Sequence, residues 1–123
     1  MTRTAQEKFL NDILLGFVKG NAFHYVGKFT MSPLIGFGDY PDEVSRLIII
    51  YSDEEEHSGH SVTTETVAKG LNRIADTVND IPHMSLDQRN NILFSMFEND
   101  ASHIDDYDCN AIVEVGLFGE VRY

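Results

Sequence analysis

Twenty Asp and Glu against nine Lys and Arg leave this 123-residue chain with a net charge of −11, which disfavours association with nucleic-acid phosphates or an anionic membrane surface through a broad basic patch. Its 42% hydrophobic and 11% aromatic content is too high for a disordered chain, and its length provides for one core rather than two. A single cysteine, Cys109, excludes an internal disulfide and a cysteine-built zinc site. Residues 1–8 hold no apolar signal region, and no window reaches the roughly eighteen apolar residues of a membrane span. The expectation is one globular domain over residues 1–123, cytoplasmic and soluble. The acidity itself has two explanations, solubility or a basic partner.

Thr4 followed by Glu7 forms a capping box, in which the two side chains satisfy backbone donors at a helix start. Phe9, Leu10, Ile13, Leu14, Phe17 and Val18 then recur at helical spacing until Gly20, predicting a helix over residues 5–19. From Ala22 to Met31 the period changes to two: Phe23, Tyr25, Phe29 and Met31 alternate with His24, Val26 and Lys28, a strand with Gly27 as a bulge or close approach. Stacking of bases on these aromatics would need accompanying positive charge, which Lys28 alone does not supply, so they are assigned to the core.

Residues 32–45 contain Pro33, Gly36, Gly38 and Pro41 and read as a long loop. Phe37 and Tyr40 are its candidate interface aromatics; the competing reading folds Leu34, Ile35 and Phe37 inward as a lid. Gly36-Phe37-Gly38 lacks the third glycine of a dinucleotide fingerprint. Arg46–Tyr51 is β-branched and apolar at successive positions, the pattern of a central strand covered on both faces. Residues 52–60 then bring Asp53, Glu54, Glu55 and Glu56 together with His57 and His60. The two histidines form a candidate divalent-metal pair; with no helical scaffold and Gly59 between them, a solvated turn is the favoured reading.

Thr63 or Thr64 caps a second helix with Val67, Leu71, Ile74, Ala75 and Val78 on one face. Gly70 inside it costs about 1 kcal/mol relative to alanine, which close packing against a neighbour would explain. After Pro82, Ser85-Leu86-Asp87-Gln88 reads as another capping box, opening a third helix whose face is Leu86, Ile92, Leu93, Met96 and Phe97. Residues 98–108 hold five carboxylates but fail the calcium-loop pattern: a start at Asp100 puts Ile104 at the fifth position, and a start at Asp106 puts Ala111 at the sixth. They serve better as a helix start, with Asp105 or Asp106 as cap and Cys109, Ile112, Val113 and Gly116 as the buried stripe. The closing Leu117–Tyr123 reads as helix end, glycine turn and a last strand. Together these elements predict a small single-domain α+β fold, about four helices packed on a short, mainly antiparallel sheet of two to four strands.

No phosphate loop, nucleophile elbow or metalloprotease helix is present. A Cys109–His103 nucleophile pair is opposed by the position of Cys109 on the apolar face of its own helix. No catalytic residue and no cofactor is therefore assigned, and the protein is expected not to be an enzyme.

Three stretches carry a resemblance: Asn21–Tyr25 directly after the first helix, Thr66–Ile74, and above all Asn99-Asp100-Ala101 running through Asp105-Asp106 to Ala111–Tyr123. In these the chain resembles small acidic accessory proteins of tailed bacteriophages and related mobile elements, although it lacks the tryptophan expected after Tyr25 and has a longer loop between strands. The resemblance brings no catalytic residues. It implies an accessory protein acting in a host cytoplasm, which binds a host protein and modulates or inhibits it. Joined to the charge, this gives a counter-defence factor acting as a nucleic-acid mimic on a basic host site. Its acidic surface is drawn from Asp39, Asp42, Glu43, Asp53, Glu54, Glu55, Glu56, Glu98, Asp100, Asp105, Asp106 and Asp108, without direct nucleic-acid or membrane binding. Two alternatives stay open: a nucleotide-type small-ligand binder with a pocket beneath Gly36-Phe37-Gly38, and a structural accessory that forms a homo-oligomer through a strand edge.

Overall fold

The computed structural model describes residues 5–19, 26–32, 46–51, 59–76 and 80–121. Four helices pack on a small antiparallel sheet, the α+β class that the periodicities predict. The helices are α1 (Ala5–Lys19), α2 (Thr64–Ala75), α3 (Leu86–Glu98) and α4 (Asp106–Phe118); the strands are β1 (Val26–Ser32), β2 (Arg46–Tyr51) and β3 (His60–Val62). The sheet order is β1-β2-β3.

α1 spans the predicted residues and buries Phe9, Ile13, Leu14, Phe17 and Val18. On its outer side Lys8 pairs with Asp12 at 2.7 Å, one turn away, worth a few tenths of a kcal/mol at such an exposed site. Thr4 and Gly20, the expected cap and stop, lie outside the described residues, as does the 20–25 stretch of the expected strand. Within β1 the pairing with β2 slips between Val26 and Lys28, so Gly27 is the bulge the sequence anticipates.

β2 is central, as its composition requires, with Ile49 fully buried. The expected cover on both faces is not complete: Ile48, which points the opposite way, is 37% exposed. β3 is an addition to the prediction. Three residues adjoining a charged stretch give no period of their own, yet they pair with β2 from Leu47↔Val62 to Ile49↔His60. On the helix side Val62 is fully buried and the ring of His60 meets Phe118 edge-on, centroids 5.1 Å apart.

α2 starts at Thr63, whose hydroxyl accepts from the Glu65 amide at 3.1 Å, while the Thr63 amide donates to the Thr66 hydroxyl at 3.1 Å. Val67, Leu71 and Ile74 are buried as predicted, but Ala75 is exposed at the last helical position and Val78 lies outside the described residues. The helix ends at Ala75, where α3 meets it. Arg89 donates to the carbonyls of Ile74 (3.0 Å) and Asp76 (2.7 Å), satisfying acceptors the helix end leaves open.

α4 is the axis of the molecule. Every residue from Asp108 to Gly116 is buried, so the predicted stripe of Cys109, Ile112, Val113 and Gly116 is only part of a helix enclosed on all sides. Its broadest contact is with α2, at a glycine-on-glycine crossing. A Cβ at Gly70 would collide with the Ile112 carbonyl oxygen, and one at Gly116 with the Thr66 carbonyl oxygen. This is the close approach inferred for Gly70, and Gly116 makes it reciprocal. Against α1, a Cβ at Gly16 would come within 2.6 Å of the Cys109 sulfur.

Gly119, at φ 77°, stops α4 with its amide donating to the Val115 carbonyl at 2.9 Å. The expected last strand does not follow through residues 119–121, and residues 122–123 lie outside the described set. Val121 instead donates one backbone hydrogen bond to the Pro82 carbonyl at 3.2 Å and rests its side chain on the core. The chain there meets a turn rather than a sheet edge, so no ladder forms.

Candidate interaction surface

Of the twelve carboxylates proposed as an acidic surface, the five at Glu98, Asp100, Asp105, Asp106 and Asp108 fall within the described residues. They occupy the end of α3, a single 3-10 turn (Ala101–His103) and the first turn of α4. Glu98, Asp100 and Asp105 are exposed and Asp106 is half-buried. Asp39, Asp42, Glu43, Asp53, Glu54, Glu55, Glu56, His57, Phe37 and Tyr40 lie outside the described residues.

Asp108 does not belong to this surface. It is only 6% exposed, and its two oxygens accept from the side-chain amides of Gln88 and Asn91, each at 3.0 Å. Together with Asp105 it closes a capping box, the Asp105 carboxylate accepting from the Asp108 amide at 2.8 Å. Burial pushes the Asp108 carboxyl above the usual carboxylate range, the neighbouring Asp105 charge adds to this, and the amide donors oppose it. The Gln88 interaction also changes the predicted cap of α3. Ser85 accepts from the Gln88 amide at 3.1 Å, while the Gln88 side chain turns to Asp108 instead of returning to Ser85.

Asp100 differs. It begins the 3-10 turn, and the hydrogen bond from the Ser102 amide at 2.9 Å is the first cause holding its carboxyl below the usual range; the Ser102 hydroxyl adds to it. Asp100 is therefore an exposed, firmly ionised group.

The chemistry-bearing candidates resolve into packing roles. Cys109 is buried, and burial, then the charges of Asp106, Asp108 and Asp105, pushes its thiol up to about 12. Such a thiol holds no useful thiolate at neutral pH. His60 faces Phe118 within the sheet–helix contact. Among the described residues no three His, Cys, Asp or Glu side chains gather as a metal set would, and no helix is long and apolar enough to cross a membrane.

Two features escaped the sequence. On α4, Asn110 donates its side-chain amide to Glu114 inside the core, and the Asn110 Oδ1 has no hydrogen-bond partner. The signal was a polar pair at i, i+4 in an otherwise apolar helix. On α3, Leu86 (71% exposed), Phe94 (57%) and Phe97 (86%) lie open to solvent, as does Tyr107 (67%) at the head of α4. The helical spacing predicts Leu86 and Phe97 on the buried face, whereas α3 buries only Ile92 and Ser95 fully and half-buries Leu93 and Met96. The signal was breadth, since apolar residues at 86, 92, 93, 94, 96 and 97 span more of the helix circumference than one neighbour can cover.

Comparison with protein-family models, with curated proteins and with solved structures gives no match to this chain.

Proposed function

We propose that this is a non-enzymatic, phage-type accessory protein that binds a host protein and modulates or inhibits it by presenting carboxylates to a basic site. The observation that carries this reading is the exposed run formed by Glu98, Asp100 and Asp105, on a chain of net charge −11. No basic residue stands in the last turn of α3, so Glu98 and Asp100 add to the negative end of the helix dipole instead of compensating it. A cationic partner is the natural complement, and a site built to receive nucleic-acid phosphate supplies one. Asp108 is withdrawn from the acidic set because its oxygens are already occupied within the fold.

Affinity capture from bacterial host lysate tests this, with bound proteins identified by mass spectrometry at ~0.1 M and ~1 M salt, where the screening length falls from about 10 Å to about 3 Å. The expected result is a partner with a basic site, retained at the lower concentration and lost at the higher. A partner retained equally at both would refute the charge-based mechanism.

A further inference from the structure

The outer side of α3 combines two properties that the proposed acidic surface does not by itself explain. At about 100° per residue, Leu86, Asn90, Phe94 and Phe97 fall within an arc of about 80°, Asp87 and Glu98 adjoin its Phe94 border, and buried Ile92 and Ser95 lie opposite. All six residues of this outer arc are exposed. An isolated exposed apolar side chain is ordinary; Phe94 and Phe97, one turn apart on one face of a helix that also exposes Leu86 at its start, place several large apolar side chains on the same side, as binding surfaces do.

The border of the patch is acidic. Asp87 stands in the first turn, Glu98 in the last, and Asp100 follows the left-handed cap at Asn99. Arg89, on the same helix, is turned toward α2 and held by the Ile74 and Asp76 carbonyls. Lys8, the lysine whose charge reaches Asp100, is already paired with Asp12. Three of the exposed charges along and just beyond α3, Asp87, Glu98 and Asp100, are thus negative.

This charge decides the occupant. Antiparallel pairing of two α3 helices from two copies would bring the Glu98 end of one beside the Asp87 end of the other, on molecules that each carry −11. We propose that the outer face of α3 docks an amphipathic segment of a partner protein, apolar where it meets Leu86, Phe94 and Phe97, and bearing lysine or arginine where it passes Glu98 and Asp100. The assignment rests on the acidic-surface function above and names the anchor that function uses. Helix-in-groove and helix-on-helix recognition work in this way, with apolar anchors at helical spacing giving affinity and flanking charge giving orientation.

The probe is a synthetic peptide with leucine and phenylalanine at helical spacing and lysines along its flanks, titrated against the full chain by fluorescence anisotropy. Its controls are a scrambled peptide of the same composition and a version with glutamate in place of lysine. The expected result is that the patterned basic peptide binds at least about tenfold more tightly than either control. Phe94→Ser/Phe97→Ser should remove that advantage and Glu98→Gln/Asp87→Asn should reduce it, each variant remaining folded, with a melting midpoint only slightly lowered, at the assay temperature. Equal, salt-sensitive binding of patterned and scrambled peptides overturns the α3 anchor and leaves the acidic-surface function standing. Binding of neither likewise overturns the α3 anchor, and the acidic-surface function is then decided by the salt-dependent capture described above. Equal binding of the glutamate peptide overturns the basic-segment assignment, and a dimer in light scattering that Phe94→Ser/Phe97→Ser dissolves assigns the face to a second copy instead.

Discussion

At the scale of single residues, the acidic run and the cysteine separate by what surrounds them. Cys109 sits against Gly16 of α1 with its thiol pushed up to about 12. Below about pH 9 folded and unfolded chains both keep the proton; between 9 and 12 only the unfolded chain releases it, so stability falls as pH rises through that window. The urea midpoint of the wild type is expected to decline above pH 9, and Cys109→Ala to lose part of that decline, at most about 1.4 kcal/mol per pH unit. Thiol reagents should label the protein at neutral pH only after unfolding. For Asp108, replacement by alanine removes the acceptor of the Gln88 and Asn91 side-chain amides and of the Asp105 amide in the α4 capping box; the expected loss is about 1–3 kcal/mol in chemical denaturation. Because the folded pKa is raised, the stability Asp108 contributes is largest below its unfolded pKa and falls as pH rises. The difference between wild type and Asp108→Ala should therefore be larger in mild acid than at neutrality. A gap that grew toward neutral pH would mean that burial does not dominate at this site.

At the scale of elements, the α2–α4 crossing sets the sign of a substitution that helix propensity alone gets wrong. Alanine at Gly70 or Gly116 would gain up to about 1 kcal/mol from propensity. The crossing places its methyl group against a backbone carbonyl of the facing helix, and backbone cannot rotate aside as a side chain can. Each substitution is expected to destabilise by roughly 1–3 kcal/mol net, the range of overpacking, with the loss read as a lower denaturation midpoint. Gly70 was legible as a close approach because nothing else justifies glycine inside a good helix. The starts of α2, α3 and α4 were legible for a similar reason: Thr63, Ser85 and Asp105 accept from amides of the first turn, and capping is a local interaction. What depends on distant neighbours was not legible. β3 forms only because β2 lies beside it. Val121 follows the Pro82 turn, and no period in residues 117–123 reveals that. The face of α3 was misassigned because periodicity shows that a helix has apolar residues, not which of them meets the core.

At the scale of the whole molecule, the surplus of eleven negative charges and the enclosed α4 pull in opposite directions. Self-repulsion favours expansion, and the burial around α4 holds the domain together. Added salt relieves the repulsion, so folding is not weakened where a charge-based association is. The candidate surface was legible at this scale in its sign and at the residue scale in part: Glu98, Asp100 and Asp105 are exposed as expected, while Asp108 turned inward to serve two amides. Leu86, Phe94 and Phe97 became visible only once the burial of α3 was known. The most direct test of the central claim is the Kd for the captured host partner, measured by titration at ionic strengths from ~0.1 M to ~1 M, with the melting midpoint followed in the same buffers. Affinity that falls steeply with salt while the fold stays intact is the predicted result; a Kd that does not change across that range would contradict it.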